Sequence, residues 1–195
     1  GRSIAFTSIQ DGKREVFIIN RDGSNLRHLL PEPMGSSGAD WSPDGKYLAF
    51  TSMKSGNAEV YTVRPDGSDL RQITENEAMD GSPNFSPDSK YLAFNSNRSG
   101  NWDGYLFEIA TGELRQVTHG TAHEFIFGFF PDGNSLVLTT DEFGAETVFT
   151  ARTDGSHVVK ITPDSVRHAN PRVSPNGRWI ACERYKRQQP HLALI

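Results

Sequence analysis

Ser36, Asp80, Glu124 and His168 stand five positions ahead of Trp41, Phe85, Phe129 and Val173. Together with His123 and Asn170 they form a set of oxygen and nitrogen donors at one recurring place in the chain. Carboxylates joined by an imidazole suit Ca²⁺ or a harder transition metal. Asp80, Glu124 and His168 are therefore the candidate metal ligands, and Ca²⁺ is the only cofactor such a set brings into view. The same donors, with Ser36, His123 and Asn170, suit a polar ligand or a protein partner in a concave site. Solvated charges at a channel rim are the plainer reading. Hydrolytic chemistry lacks its motifs: the chain has no Gly-x-Ser-x-Gly elbow, no His-Glu-x-x-His and no glycine-rich phosphate loop. The six histidines are scattered. His123 and His168 fall one residue apart in phase, which is thin ground for a lyase site. Cys182 occupies an apolar strand position, so a buried, inert thiol is expected rather than a nucleophile.

Such residues can act together only if the fold gathers them, and a repeat does the positioning. WSPDGKYLAF at 41–50 returns as FSPDSKYLAF at 85–94, FFPDGNSLVL at 129–138 and VSPNGRWIAC at 173–182, a step of 44 without insertion or deletion. NRDGSNLRHLL (20–30), RPDGSDLRQIT (64–74), EIATGELRQVT (108–118) and RTDGSHVVKIT (152–162) keep the same step. Each copy reads as four strands, A to D. Strand A ends at the aromatic, and a Pro-Asp-Gly or Pro-Asn-Gly turn follows; proline presets φ, while Asp, Asn and Gly tolerate left-handed backbone. Strand B is Tyr47–Phe50 and its equivalents, strand C Glu59–Val63, strand D Leu70–Thr74 after an Asp-Gly-Ser turn. Short strands at regular spacing indicate all-β architecture.

Four antiparallel strands every roughly 40–45 residues is the size of a propeller blade. Since one blade cannot cover both of its faces, blades come in arrays. The fold class is thus an all-β propeller of four-stranded antiparallel blades, about four to five of them in this chain. The expected organisation is a single unit over 1–195, with a partial blade at 1–30, blades at about 36–74, 80–118 and 124–162, and a partial blade at 168–195. The count of B-C-D, three full blades and A-B-C favours an open arc, a fragment of a larger ring or a chain that assembles with its own copies, over a closed four-bladed ring. Rotation about a propeller axis would bring Ser36, Asp80, Glu124 and His168 toward one channel mouth.

The Ser-Pro-Asp-Gly-Lys-Tyr-Leu-Ala-Phe-Thr-Ser run at 42–52 and the Asp-Gly-Ser…Leu-Arg-Gln-Ile-Thr run at 66–74 resemble the TolB-type, WD-like propeller repeat family. The copy at 129–138 departs from the pattern, with Phe130 in place of serine and Asn134-Ser135 in place of Lys-Tyr. The resemblance implies a non-enzymatic scaffold that binds a protein, peptide or ligand at the channel mouth, in the periplasm or outside the cell. Similar repeats in lyases and in propellers of prolyl-oligopeptidase-like hydrolases imply the alternatives: a channel-site lyase, or the propeller of a hydrolase lacking its catalytic domain. A self-assembling repeat fragment with no separate activity is a third reading.

Composition narrows the partners. A net charge of −4 argues against a generic nucleic-acid binder, which needs a basic face. No apolar run is long enough for a membrane helix, and membrane insertion is not expected. One cysteine excludes an internal disulfide. No signal peptide is legible, since Gly1 opens on a strand-like segment. Arg184, Lys186 and Arg187 read as a solvated basic turn.

Overall fold

The computed structural model describes residues 1–142, 144–186 and 189–195; Arg187 of the basic run lies outside them. Their regular structure is all strand, eighteen in number, in five antiparallel sheets. The chain divides into two compact units, Gly1–Pro83 and Asn84–Ile195. Among the described residues no helix is long and apolar enough to cross a membrane.

The first unit opens with a three-stranded sheet, β1 (Ser3–Gln10), β2 (Lys13–Asn20) and β3 (Arg27–His28), followed by the four-stranded sheet β4 (Ser36–Trp41), β5 (Leu48–Ser52), β6 (Glu59–Val63) and β7 (Arg71–Gln72). Strand β8 (Asp80–Phe85) begins in this unit and edges the next sheet, with β9 (Tyr91–Ser96), β10 (Asp103–Glu108) and β11 (Leu114–Gln116). The second unit continues with β12 (Glu124–Phe129), β13 (Ser135–Thr140), β14 (Thr147–Arg152) and β15 (Val159–Lys160), then β16 (His168–Val173), β17 (Ile180–Lys186) and β18 (Gln189–Leu194). These sheets are the expected blades in the expected B-C-D, A-B-C-D and A-B-C pattern. Arg184 and Lys186 lie in strand β17 rather than in a turn.

The turns explain why strands stop where they do. Ser42 Oγ donates to Asp44 and accepts from the Tyr47 N–H, while Asp44 accepts from the Lys46 N–H, so the short loop is held by its own side chains. Ser86, Asp88 and Tyr91 repeat this arrangement, as do Ser174, Asn176 and Trp179. Ser89 adopts φ +60° where Gly45, Gly133 and Gly177 stand in the other copies. In the copy where Phe130 displaces the serine, the Ser135 hydroxyl and N–H both reach Asp132 instead, so the departure is repaired locally. At Asp66 the bonds from Ser68 hold the carboxyl below its ordinary value.

Between strands B and C the same ring pair recurs. Phe6 faces Phe17, Phe50 faces Tyr61 and Phe94 faces Tyr105, with centroids 5.7–5.9 Å apart. The first unit's core gathers Val16, Ile18, Leu48, Phe50, Tyr61 and Val63. One core of the second unit is built on Leu106, Ile126, Leu136 and Phe149, and another on Val137, Val148, Ile180 and Cys182. Cys182 is buried, and burial raises its thiol above the ordinary value. It therefore sits where an apolar strand residue was expected.

Candidate functional site

Each of Ser36, Asp80, Glu124 and His168 is the first residue of a strand A: β4, β8, β12 and β16. Their backbones share one role. The N–H groups of Asp80, Glu124 and His168 each donate to a carbonyl at the start of the preceding strand C, Ala58, Trp102 and Glu146, at 2.7 Å in all three cases. Their side chains do different work in each copy.

In the first unit, Ser36 Oγ accepts from the Val16 N–H at 3.1 Å and donates to Glu15. Later copies give this task to a threonine at the end of strand D. Thr74, Thr118 and Thr162 accept at 2.9 Å from the N–H groups of Val60, Gly104 and Val148. The residue in phase with those threonines in the first copy is Leu30, which has no hydroxyl, and Ser36 supplies one from the next strand. Behind the hydroxyls lies a buried acid: Glu15, Glu59 and Asp103 accept from Ser36, Thr74 and Thr118. Glu59 also takes the Asn57 amide and the Asn76 N–H. Each acid is at most 4% exposed, so these bonds offset what its burial costs. This threonine–acid pair is not among the site residues expected from the sequence. Its signal was present, as Thr at 74, 118 and 162 and an acid at 15, 59 and 103, both on the 44-residue step.

Asp80 is fully buried and accepts from Asn76 Nδ2 at 2.7 Å. In phase with that pair stand Gly120 and Glu124, where the longer acid reaches back to the Gly120 N–H at 3.2 Å. A Cβ on residue 120 would lie 3.2 Å from the Glu124 carboxyl carbon, so the longer acid needs the smaller partner. Burial, resisted by the Gly120 N–H, pushes the Glu124 carboxyl above its ordinary value. His168 is buried, and its Nδ1 lies 2.8 Å from the Val166 carbonyl oxygen. His123 is exposed; its Nδ1 accepts from the Trp102 N–H at 3.2 Å and its own N–H donates to Asp141.

Asn170 marks an irregularity in the backbone of its strand A. Strand A carries a bulge between Ala169 and Arg172, and Asn170 holds φ +51° within it. Gly38 and Ser82 take the same left-handed turn in the first unit. There Thr7 accepts from the Gly38 N–H at 3.2 Å and Thr51 from the Ser82 N–H at 3.0 Å. In the second unit Asn95 accepts from the Ile126 N–H at 2.7 Å.

Ser36 and Asp80 lie in the first unit; His123, Glu124, His168 and Asn170 lie in the second. Among the described residues no group of three or more His, Cys, Asp or Glu is placed to hold a metal ion. The side chains of Asp80, Glu124 and His168 each meet a group of their own loop, Asn76, Gly120 or Val166.

A 44-residue period of four-stranded antiparallel sheets, tied by one recurring set of backbone and side-chain bonds, defines a repeat-built β-propeller. The sequence model of the TolB β-propeller domain matches residues 69–194, and the chain belongs to that family. Among solved structures it is similar to TolB from Acinetobacter baumannii, with a TM-score of 0.88 and 21% identity over 98% of this chain and 49% of that one. It is also similar to a putative TolB from Agrobacterium tumefaciens, with a TM-score of 0.83 and 20% identity over 98% of this chain and 76% of that one. An oligogalacturonate lyase from Vibrio parahaemolyticus gives 0.75 and 17% over 100% of this chain and 58% of that one. At these identities the likeness is one of fold. The chain spans about half the length of the Acinetobacter TolB. No curated protein sequence matches it.

Proposed function

We propose that this chain is a non-enzymatic binding scaffold, similar in role to TolB, working in the periplasm or outside the cell. It would present the loops that lead into its A strands to a protein or peptide partner. One observation carries this reading. The buried polar groups keep the geometry of the strand entry constant from copy to copy, and the exposed loop residues beside them change freely. Before β8 the exposed residues are Glu75, Glu77 and Met79; before β12 they are His119, Thr121 and His123; before β16, Ser165 and Arg167. A frame held by repeated bonds with variable side chains on its loops suits recognition, because binding loops work best on a rigid support. A catalytic centre would call for the acids and imidazoles to converge on a reacting atom. Here Asp80 accepts from Asn76 and Glu124 from Gly120, each in its own loop.

The test is a photo-crosslinker placed at Met79, with the protein expressed in its native host. A discrete adduct that is lost in a Glu75→Ala/Glu77→Ala variant supports the reading. Turnover of oligogalacturonate in the presence of manganese, or of a peptide ester, by the purified chain would overturn it.

A further inference from the structure

The outer end of the second blade holds a closed cage. The Tyr47 hydroxyl donates to Asp69 at 3.0 Å, Arg71 donates to the same carboxylate at 2.9 Å, and the Arg64 guanidinium lies over the Tyr47 ring at 5.1 Å with its Nε 3.5 Å from Asp69. One residue, Arg64, thus puts a cation between a ring face and a carboxylate.

One period later the cage is open. Tyr91, Glu113 and Arg115 stand in phase with Tyr47, Asp69 and Arg71, but Glu108 stands where Arg64 was. Replacing Arg64-Asp69-Arg71 by Glu108-Glu113-Arg115 turns a local charge of +1 into −1. A recess of about 100 Å³ is left, lined by Tyr91, Leu106, Glu108, Glu113 and Arg115. That is room for about three waters, or for the four heavy atoms of a guanidinium head. Among the described residues the Tyr91 hydroxyl and the side chains of Glu113 and Arg115 have no hydrogen-bond or ion-pair partner, unlike their counterparts in the second blade, while one Glu108 oxygen accepts from the Thr111 hydroxyl at 2.7 Å and the other is left for a ligand. The recess adjoins a groove of about 380 Å³ that shares Tyr91, Leu106 and Arg115 and is bordered by Asp88 and Asp132. The first and fourth copies carry Ser3 and Ser135 in place of the tyrosine, so they have no ring to build such a cage.

We infer that the Tyr91–Glu108–Glu113 recess is a binding site for an arginine side chain carried by a partner's peptide segment. The incoming guanidinium takes the place that Arg64 occupies in the second blade, stacked on Tyr91 and paired with Glu113, with Glu108 as a second acceptor. The groove beside it, lined by Asp88, Asp132 and Arg115, receives the flanking residues of the segment. Cation–π stacking and charge pairing each contribute modestly at an exposed site, and together they amount to about tenfold in affinity. The inference is independent of the loops treated under the proposed function, which lie at the opposite ends of the strands.

The test is amide chemical-shift titration of the 195-residue chain with a blocked Gly-Arg-Gly peptide at low salt, beside the same peptide carrying citrulline, the neutral isostere. Saturable shifts confined to Tyr91, residues 106–115 and the groove around Asp88 and Asp132 are expected, with citrulline binding about tenfold more weakly. Glu108→Arg rebuilds the internal cage and is expected to abolish binding. Glu113→Gln, a mild exposed change that leaves the fold intact, is expected to weaken it severalfold. Equal affinity for arginine and citrulline, or undiminished binding by Glu108→Arg, would overturn the inference.

Discussion

At Glu124 a half-buried carboxylate meets the Gly120 N–H and the Thr118 hydroxyl, and burial outweighs both. Because the folded form raises this pKa, the folded state binds the proton more tightly than the unfolded one. Its contribution is favourable below the ordinary carboxylate pKa and is lost as pH rises through the raised value. Glu124→Gln removes that titration while keeping an oxygen for the Gly120 N–H. The variant is expected to be more stable than the wild type at pH 7, with the gap closing at pH 4. Urea midpoints of the two proteins at both pH values check this, and a gap that does not change with pH would count against it. The place of Glu124 in the chain was legible from phase alone, since Ser36, Asp80, Glu124 and His168 all open a strand A. Their work was not, because each role is set by a partner on another segment. Ser36 replaces a threonine that the first copy lacks, and Glu124 depends on a glycine four residues before it.

Among the elements, strand C was readable to the residue, as Glu59–Val63 shows. Strand D was expected over Leu70–Thr74 and is only Arg71–Gln72. The reason is local. The N–H groups of Ile73 and Thr74 both point to the Val60 carbonyl, at 2.8 and 3.4 Å, which ends the ladder and swings the Thr74 hydroxyl to the Val60 N–H. Val117 with Thr118, and Ile161 with Thr162, do the same. No single-strand pattern carries this information; it depends on the neighbouring strand. The packing of β12 on β10 shows a similar exchange between elements. Val16, Val60 and Val148 become Gly104 in the third copy, and the bulge position held by Gly38, Ser82 and Asn170 becomes Ile126. A Cβ at residue 104 would come within 2.3 Å of Ile126 Cδ1, so the isoleucine fills what the glycine vacates. Ile126 cannot easily take the left-handed turn, and the positive φ moves two residues on, to Gly128 at +148°. Gly104→Val is expected to cost about 1–3 kcal/mol by overpacking, and Ile126→Ala about 2–5 kcal/mol by leaving a cavity. The double variant Gly104→Val/Ile126→Asn, which restores the pair found elsewhere, is expected to be more stable than Gly104→Val alone. Denaturant melts of Gly104→Val, Ile126→Asn and their double variant check this, and strictly additive losses would refute the coupling.

For the chain as a whole, the open question is how its sheet edges stay apart. An edge strand offers unpaired N–H and C=O groups, and proteins protect such edges by making them short or charged. The outer D strands follow that rule. β3, β7, β11 and β15 are two or three residues long, and each carries an arginine or a lysine. Two other edges do not. β1 is eight residues long with no charged side chain, and its Ile4, Phe6 and Ile9 are 37–69% exposed. β18 has six residues, none of them acidic, lysine or arginine, with Leu192 86% and Leu194 64% exposed. Pro190 removes one donor from that edge and leaves the rest. Both edges belong to three-stranded sheets in a chain whose other sheets have four strands. The 195-residue chain in isolation is therefore expected to associate with its own copies as concentration rises, through β1 and β18. Burying one Leu or Ile side chain is worth about 1.5–3 kcal/mol, so Ile9→Lys or Leu192→Lys should each raise the association midpoint by about tenfold or more. Light scattering across a concentration series measures this. A wild-type chain that stays monomeric throughout would show that these edges are protected in some other way.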